Sequence, residues 1–166
     1  FPSTTIDPAK WTTNVGAIVD TVGINEPSAT LSLRLRGSST GGNQIRTSRI
    51  NTSGLGLLQL DYYYERKGGG DQPEAGDDLI VEYFNTSGNW VEISRQLGSG
   101  TAMTNYALAS VEFPADAMHS EFRVRFRVSS AQNNLDDWFV DNVSITGVAA
   151  PVKTPLPKSS VTVNSP

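Results

Sequence analysis

Cysteine is missing from all 166 residues, and histidine occurs once, as His119. The first absence removes every thiol nucleophile, disulfide and thiolate metal site. The second leaves no multi-histidine zinc site, so a metal here would be held by oxygen, a donor set that favours calcium. No apolar run approaches the roughly 18 residues needed to cross a bilayer, which excludes insertion by a helix. Charged residues make up only 18% of the chain, and 17 acidic against 13 basic side chains leave a net charge of −4. A general nucleic-acid binder leans basic over its whole domain, so nucleic acid is excluded as the expected partner. No internal repeat is visible, and the length fits one domain.

Helical periodicity is nearly absent too, whereas strand alternation recurs along the chain. Leu31, Leu33 and Leu35 alternate with Ser32, Arg34 and Arg36. Leu58, Leu60, Tyr62 and Tyr64 alternate with Gln59, Asp61, Tyr63 and Glu65. Phe122, Val124, Phe126 and Val128 alternate with Arg123, Arg125 and Arg127. A strand over Leu79–Phe84 leads through the turn Asn85-Thr86-Ser87-Gly88 into a return strand over Trp90–Ile93. Further strands are expected near Val15–Asp20, Ile45–Ile50, Tyr106–Phe113 and Trp138–Thr146. About nine strands separated by Gly, Pro, Asn and Ser turns predict an all-β fold, a two-sheet antiparallel sandwich of the jelly-roll type. The domain is expected over residues 1–147. Residues 148–166, with Pro151, Pro155, Pro157 and Pro166 among Ser and Thr, read as a linker toward neighbouring domains of a longer chain.

Three stretches carry a family resemblance. Leu79-Ile80-Val81-Glu82-Tyr83-Phe84 with its turn and Trp90 resembles a hairpin of MAM-like and reelin-like jelly rolls. Phe122–Phe126 followed by Asp136-Asp137-Trp138-Phe139-Val140-Asp141-Asn142-Val143 is similar to their last two strands, and Thr47–Ile50 with Leu58–Tyr64 to the two strands before the hairpin. The resemblance spans residues 28–147. It implies a non-catalytic module of secreted or cell-surface proteins that engages a glycan or an extracellular protein, with a structural calcium. Animal MAM domains carry paired cysteines, so their absence here points to a bacterial extracellular relative.

The chemistry worth testing is acidic or arginine-rich. Asp71, Glu74, Asp77 and Asp78 crowd one loop, Asp136 and Asp137 another, and Asp141 sits within the last expected strand. Clustered carboxylates repel unless solvent, arginine or a cation screens them. Asp71, Glu74, Asp77, Asp137 and Asp141 are the candidate calcium ligands; a solvated acidic turn is the plainer reading of the loop. If Phe139, Val143 and Ile145 face the core, alternation turns Asp141 inward with them, where it must ligate a metal or accept backbone hydrogen bonds. Arg34 and Arg36 on one strand and Arg123 and Arg125 on another, with Tyr63, form the candidate binding set for an acidic polysaccharide, since guanidinium forks match carboxylate and sulfate. Cross-strand ion pairs on a solvated face explain the same arginines. A glycoside hydrolase with a jelly-roll fold is the enzyme alternative, with Asp61 and Glu82 as its carboxylate pair; no nucleophile motif accompanies it, and His119 reads as a loop residue.

Overall fold

A strand patterned with period two buries one side of itself only when a second layer covers it. In the computed structural model, which describes residues 1–28, 30–37, 43–129 and 136–152, that layer is a second sheet. In chain order the strands are β1 (Trp11–Val15), β2 (Ile18–Asp20), β3 (Ser32–Arg36), β4 (Gln44–Thr47), β5 (Leu55–Arg66), β6 (Leu79–Phe84), β7 (Trp90–Gln96), β8 (Ala107–Glu112), β9 (Val124–Val128) and β10 (Asp137–Ala149). One sheet has the order β1-β4-β9-β6-β7 and the other β2-β3-β10-β5-β8, with every neighbouring pair antiparallel. Among the described residues the one helical element is a 3-10 turn over Ala115–Ala117, so no helix there is long and apolar enough to cross a membrane.

The inner sides of the sheets form one core. Leu33, Leu60, Tyr62, Trp138 and Val140 from the second sheet meet Ile45, Val81, Val124 and Phe126 from the first, all fully buried. Phe126 sits at the centre, edge-on to Tyr62 at 5.2 Å and to Trp11 at 6.3 Å between ring centroids. Such edge-to-face pairs add to the stabilisation from burial alone.

Two strands depart from the sequence expectation. The strand expected over Val15–Asp20 breaks at Gly16, whose φ of +73° is left-handed, and its two halves join different sheets. Glycine reaches that conformation without the Cβ clash other residues meet. The last strand is one continuous element, but between Asp141 and Ser144 it carries an extra residue relative to β5, and Asn142 there has φ +48°. This bulge reverses the alternation. Trp138 and Val140 pack in the core before it, and Val143 and Ile145 pack against the core after it. Phe139 and Asp141 therefore point to the outer side of the sheet, which corrects the inward placement expected for Asp141. β10 also runs through Ala149, past the expected domain end at 147; residues 153–166 of the expected linker lie outside the described residues.

Phe126→Ala removes the ring that joins both sheets. Equilibrium denaturation should show a loss of about 3–5 kcal/mol, the range for large buried aromatics; a loss below about 1 kcal/mol would mean that the core is organised elsewhere.

Candidate functional site

The loop between β5 and β6 folds back on the start of β10. Asp137 donates its amide to Asp71 O at 3.1 Å, and Asp71 donates its amide to Asp137 Oδ2 at 2.9 Å. Trp138 Nε1 donates to Asp77 O at 2.7 Å, and Ser129 Oγ donates to Gly76 O. Gly98 packs so closely on the carbonyls of Glu74 and Asp77 that a Cβ would collide with them. These bonds bring carboxylate oxygens of Glu74, Asp77 and Asp136 within 4.8 Å of one another. Asp136 is 0% exposed, and neither of its oxygens has a hydrogen-bond partner among the described residues. Burial, then the charges of Asp77 and Glu74, push its carboxyl well above the usual carboxylate range. Burial raises Asp77 in the same direction.

Asp136 was passed over in the sequence in favour of its neighbour. Asp137 turns the other way and is claimed by arginine. Arg34 grips it bidentately, Nε to Oδ1 at 2.6 Å and Nη2 to Oδ2 at 2.8 Å, and Arg36 Nε adds a bond of 3.0 Å. Burial opposes ionisation of Asp137, but the bonds from Arg34, the Asp71 amide and Arg36 outweigh it and hold the carboxyl below its ordinary value. The signal was available: alternation lets only one of two adjacent aspartates join the loop cluster, and the arginine stripe on β3 takes the other. Asp71 is exposed and contributes its backbone. Asp141, fully buried, accepts hydrogen bonds from Ser28 Oγ at 2.7 Å, the Asn142 amide at 2.8 Å and the Phe1 ammonium at 3.2 Å. The five candidate ligands therefore split. Glu74 and Asp77 come together with Asp136, whereas Asp71, Asp137 and Asp141 are engaged elsewhere.

The candidate glycan residues split as well. Arg34, Arg36 and Tyr63 belong to the second sheet, and Arg125, with Arg123 just before its strand, to the first, so they lie on opposite outer faces and form no common groove. Arg34 is buried between Asp137 and Asp20. The first sheet's outer face instead gathers Arg46, Arg49, Arg95, Arg123, Arg125 and Arg127 around Asp78, Glu82, Glu92 and Glu121. Arg125 lies over the Trp90 ring at 4.4 Å and Arg123 over Phe84 at 4.8 Å. Arg125 and Arg127 share Glu82 at 2.6 and 2.9 Å. Arg46, opposite Arg125 in the ladder, is different. Its Nη2 donates to Thr13 Oγ1 at 2.6 Å, its buried Nε has no partner, and no carboxylate pairs with it among the described residues. Burial, then the guanidiniums of Arg123, Arg125 and Arg49, lower its pKa. The sequence shows Arg46 as one arginine in a strand; its isolation depends on which strands become neighbours.

The enzyme alternative loses its carboxylate pair. Asp61 is on β5 and Glu82 on β6, strands of different sheets, with both side chains on outer faces. His119 spans Phe84 O at 2.9 Å and the Glu121 amide at 3.2 Å, a loop-bracing role. Over the second sheet, Glu65 is fully buried; Ile24 donates its amide to Oε2 at 2.9 Å, and Oε1 has no partner among the described residues. Burial pushes Glu65 up to about 7.

No protein-family model matches the chain, and no curated protein matches it. Solved structures do share its fold. The K2 cleaved adhesin domain of Lys-gingipain aligns with a TM-score of 0.58 at 13% identity, covering 87% of this chain and 93% of that one. TmCBM61, solved in complex with β-1,4-galactotriose, aligns at 0.55 and 9% identity over 87% of this chain and 99% of its own. A family 16 carbohydrate-binding module aligns at 0.51 and 16% identity over 78% and 84%. The chain is thus an all-β jelly roll of the architecture found in carbohydrate-binding modules. The MAM-like and reelin-like resemblance is carried no further than that fold.

Glu65 gives the domain a pH signature. The unfolded side chain loses its proton near ~4.3, the folded one at about 7. Between these values the native state binds the extra proton, so stability falls as pH rises through the window and levels off above it. In chelator, the melting temperature should drop by several degrees from pH 5 to 7.5, and Glu65→Gln should shrink that drop. An equal slope in the variant would reject the assignment.

Proposed function

We propose that this domain is a non-catalytic carbohydrate-binding module of a secreted or surface protein, and that it holds an acidic polysaccharide on the outer face of the β1-β4-β9-β6-β7 sheet. One observation carries the reading: Arg46 is a half-buried guanidinium with no carboxylate partner among the described residues, set beside Arg123 and Arg125. A cation held among like charges is relieved by an anion, and a guanidinium fork suits a uronate carboxylate or sulfate. The aromatic rings favour the same ligand class. Trp90 and Phe84 already have arginines over their faces, so the face offers charged forks in place of an open stacking platform for neutral sugars. Surplus charge is local: six arginines meet four carboxylates here, in a chain of net charge −4. The carbohydrate-binding modules that share the architecture support the reading at the level of fold.

Affinity electrophoresis and calorimetry against polygalacturonate, alginate and a sulfated galactan, with neutral xylan and galactan as controls, test it. Binding should be confined to the acidic chains and weaken steeply with salt, because exposed charges are screened beyond ~8–10 Å at physiological ionic strength. Arg46→Ala should weaken binding about 10- to 100-fold, the worth of a hydrogen bond to a charged group, with the melting temperature within about 3 °C of wild type, as for surface substitutions. Wild-type retention by both Arg46→Ala and Arg125→Ala would overturn the glycan role of this face.

A further inference from the structure

The second feature is independent of the glycan reading. Glu74, Asp77 and Asp136 converge where the 70–78 loop meets the start of β10. Ionised carboxyl groups only accept hydrogen bonds, so three of them cannot satisfy one another. Asp136 is fully buried, and among the described residues both its oxygens are unpartnered. A buried charge in that state is strongly unfavourable unless a cation meets it. The arginines at this end are already engaged, Arg34 and Arg36 with Asp137, and Arg95 with Asp78 and Glu92. No cation of the described residues pairs with any of the three carboxylates. The buried Glu65 differs, because the Ile24 amide already donates to its Oε2 at 2.9 Å.

We infer that Glu74, Asp77 and Asp136 form a calcium site that fastens the 70–78 loop to the start of β10. Three carboxylates supply part of the six to eight oxygens calcium accepts, and an irregular loop leaves room for carbonyl or water oxygens in the remainder. Magnesium, which demands near-ideal octahedral geometry and gives up its water reluctantly, suits such a loop poorly. The ion reaches the fold through Asp77, whose carbonyl receives the Trp138 indole N–H at 2.7 Å, so tryptophan fluorescence reports on the site.

The test uses the whole chain without glycan. After chelation, calcium alone is titrated by calorimetry and by Trp fluorescence, and melting temperatures are compared in chelator, calcium and magnesium. Calcium should bind with one-site stoichiometry and, at about 100-fold excess over Kd, raise the melting temperature by roughly 5–10 °C. Asp136→Asn should melt in chelator at or above the wild-type temperature, since a repelling charge is gone, and lose the calcium-dependent rise. Glu74→Gln changes an exposed side chain and so leaves folding intact; its calcium affinity should fall at least tenfold. No calcium heat and no shift in wild type overturns the site. A full calcium response in both variants places any ion elsewhere and overturns it equally, as does an equal response to magnesium.

Discussion

The bidentate pair between Arg34 and Asp137 is the fixed point of this molecule. It ties β3 to β10 in the middle of one sheet, and the same carboxylate takes the amide of Asp71. The arginine, the strand start and the loop root are thereby held in one geometry. Removing either partner breaks the bidentate pair and leaves the other with only its secondary contacts, Asp20 for Arg34, and Arg36 with the Asp71 amide for Asp137. Once Asp137 faces the arginines, alternation aims Asp136 the other way, toward Glu74 and Asp77. The acidic cluster is thus a by-product of where the guanidiniums went.

The two outer faces have different fates for a related reason. On the second sheet, Phe139, Glu65 and Asp141 are buried although they point away from the core, because the chain passes back over them: Ile24 reaches Glu65 and Ser28 reaches Asp141. On the first sheet, long arginines take that covering role. Their stems and planar heads lie over Trp90 and Phe84, and acidic neighbours neutralise most of them. A face covered by side chains can be rearranged by a ligand far more easily than one covered by main chain.

Much of the fold was legible because period-two patterning is local. The alternation of Phe122 to Val128 and of Leu58 to Tyr64 identifies both strands and their inner sides from a few residues each. Pairings between distant strands were not legible. Arg34 and Arg125 look equivalent in the sequence, yet one is buried in an ion-pair network and the other lies on the opposite face. Asp61 and Glu82 looked adjacent because β5 and β6 are consecutive, but the chain changes sheets between them. Glu74 and Asp77 were found because they share one loop; Asp136, about sixty residues on, joins them only through tertiary contact. The bulge at Asn142 hid the true side of Asp141, since one extra residue inverts every assignment beyond it.

That bulge also bears on how the chain reaches its native pairing. β5 and β10 are the longest strands, and their partners are separated by some seventy to a hundred residues. Closing such a loop is slow, and two long alternating strands could slide past each other into several competing alignments. A left-handed Asn142 fits only the alignment in which the core side resumes at Val143. A strand slipped by one residue before the bulge would put Trp138 outside while leaving its far half in the wrong phase. The irregularity gives one strand two phases: its first half turns Trp138 and Val140 inward and its second half Val143 and Ile145, within a single continuous ladder to β5.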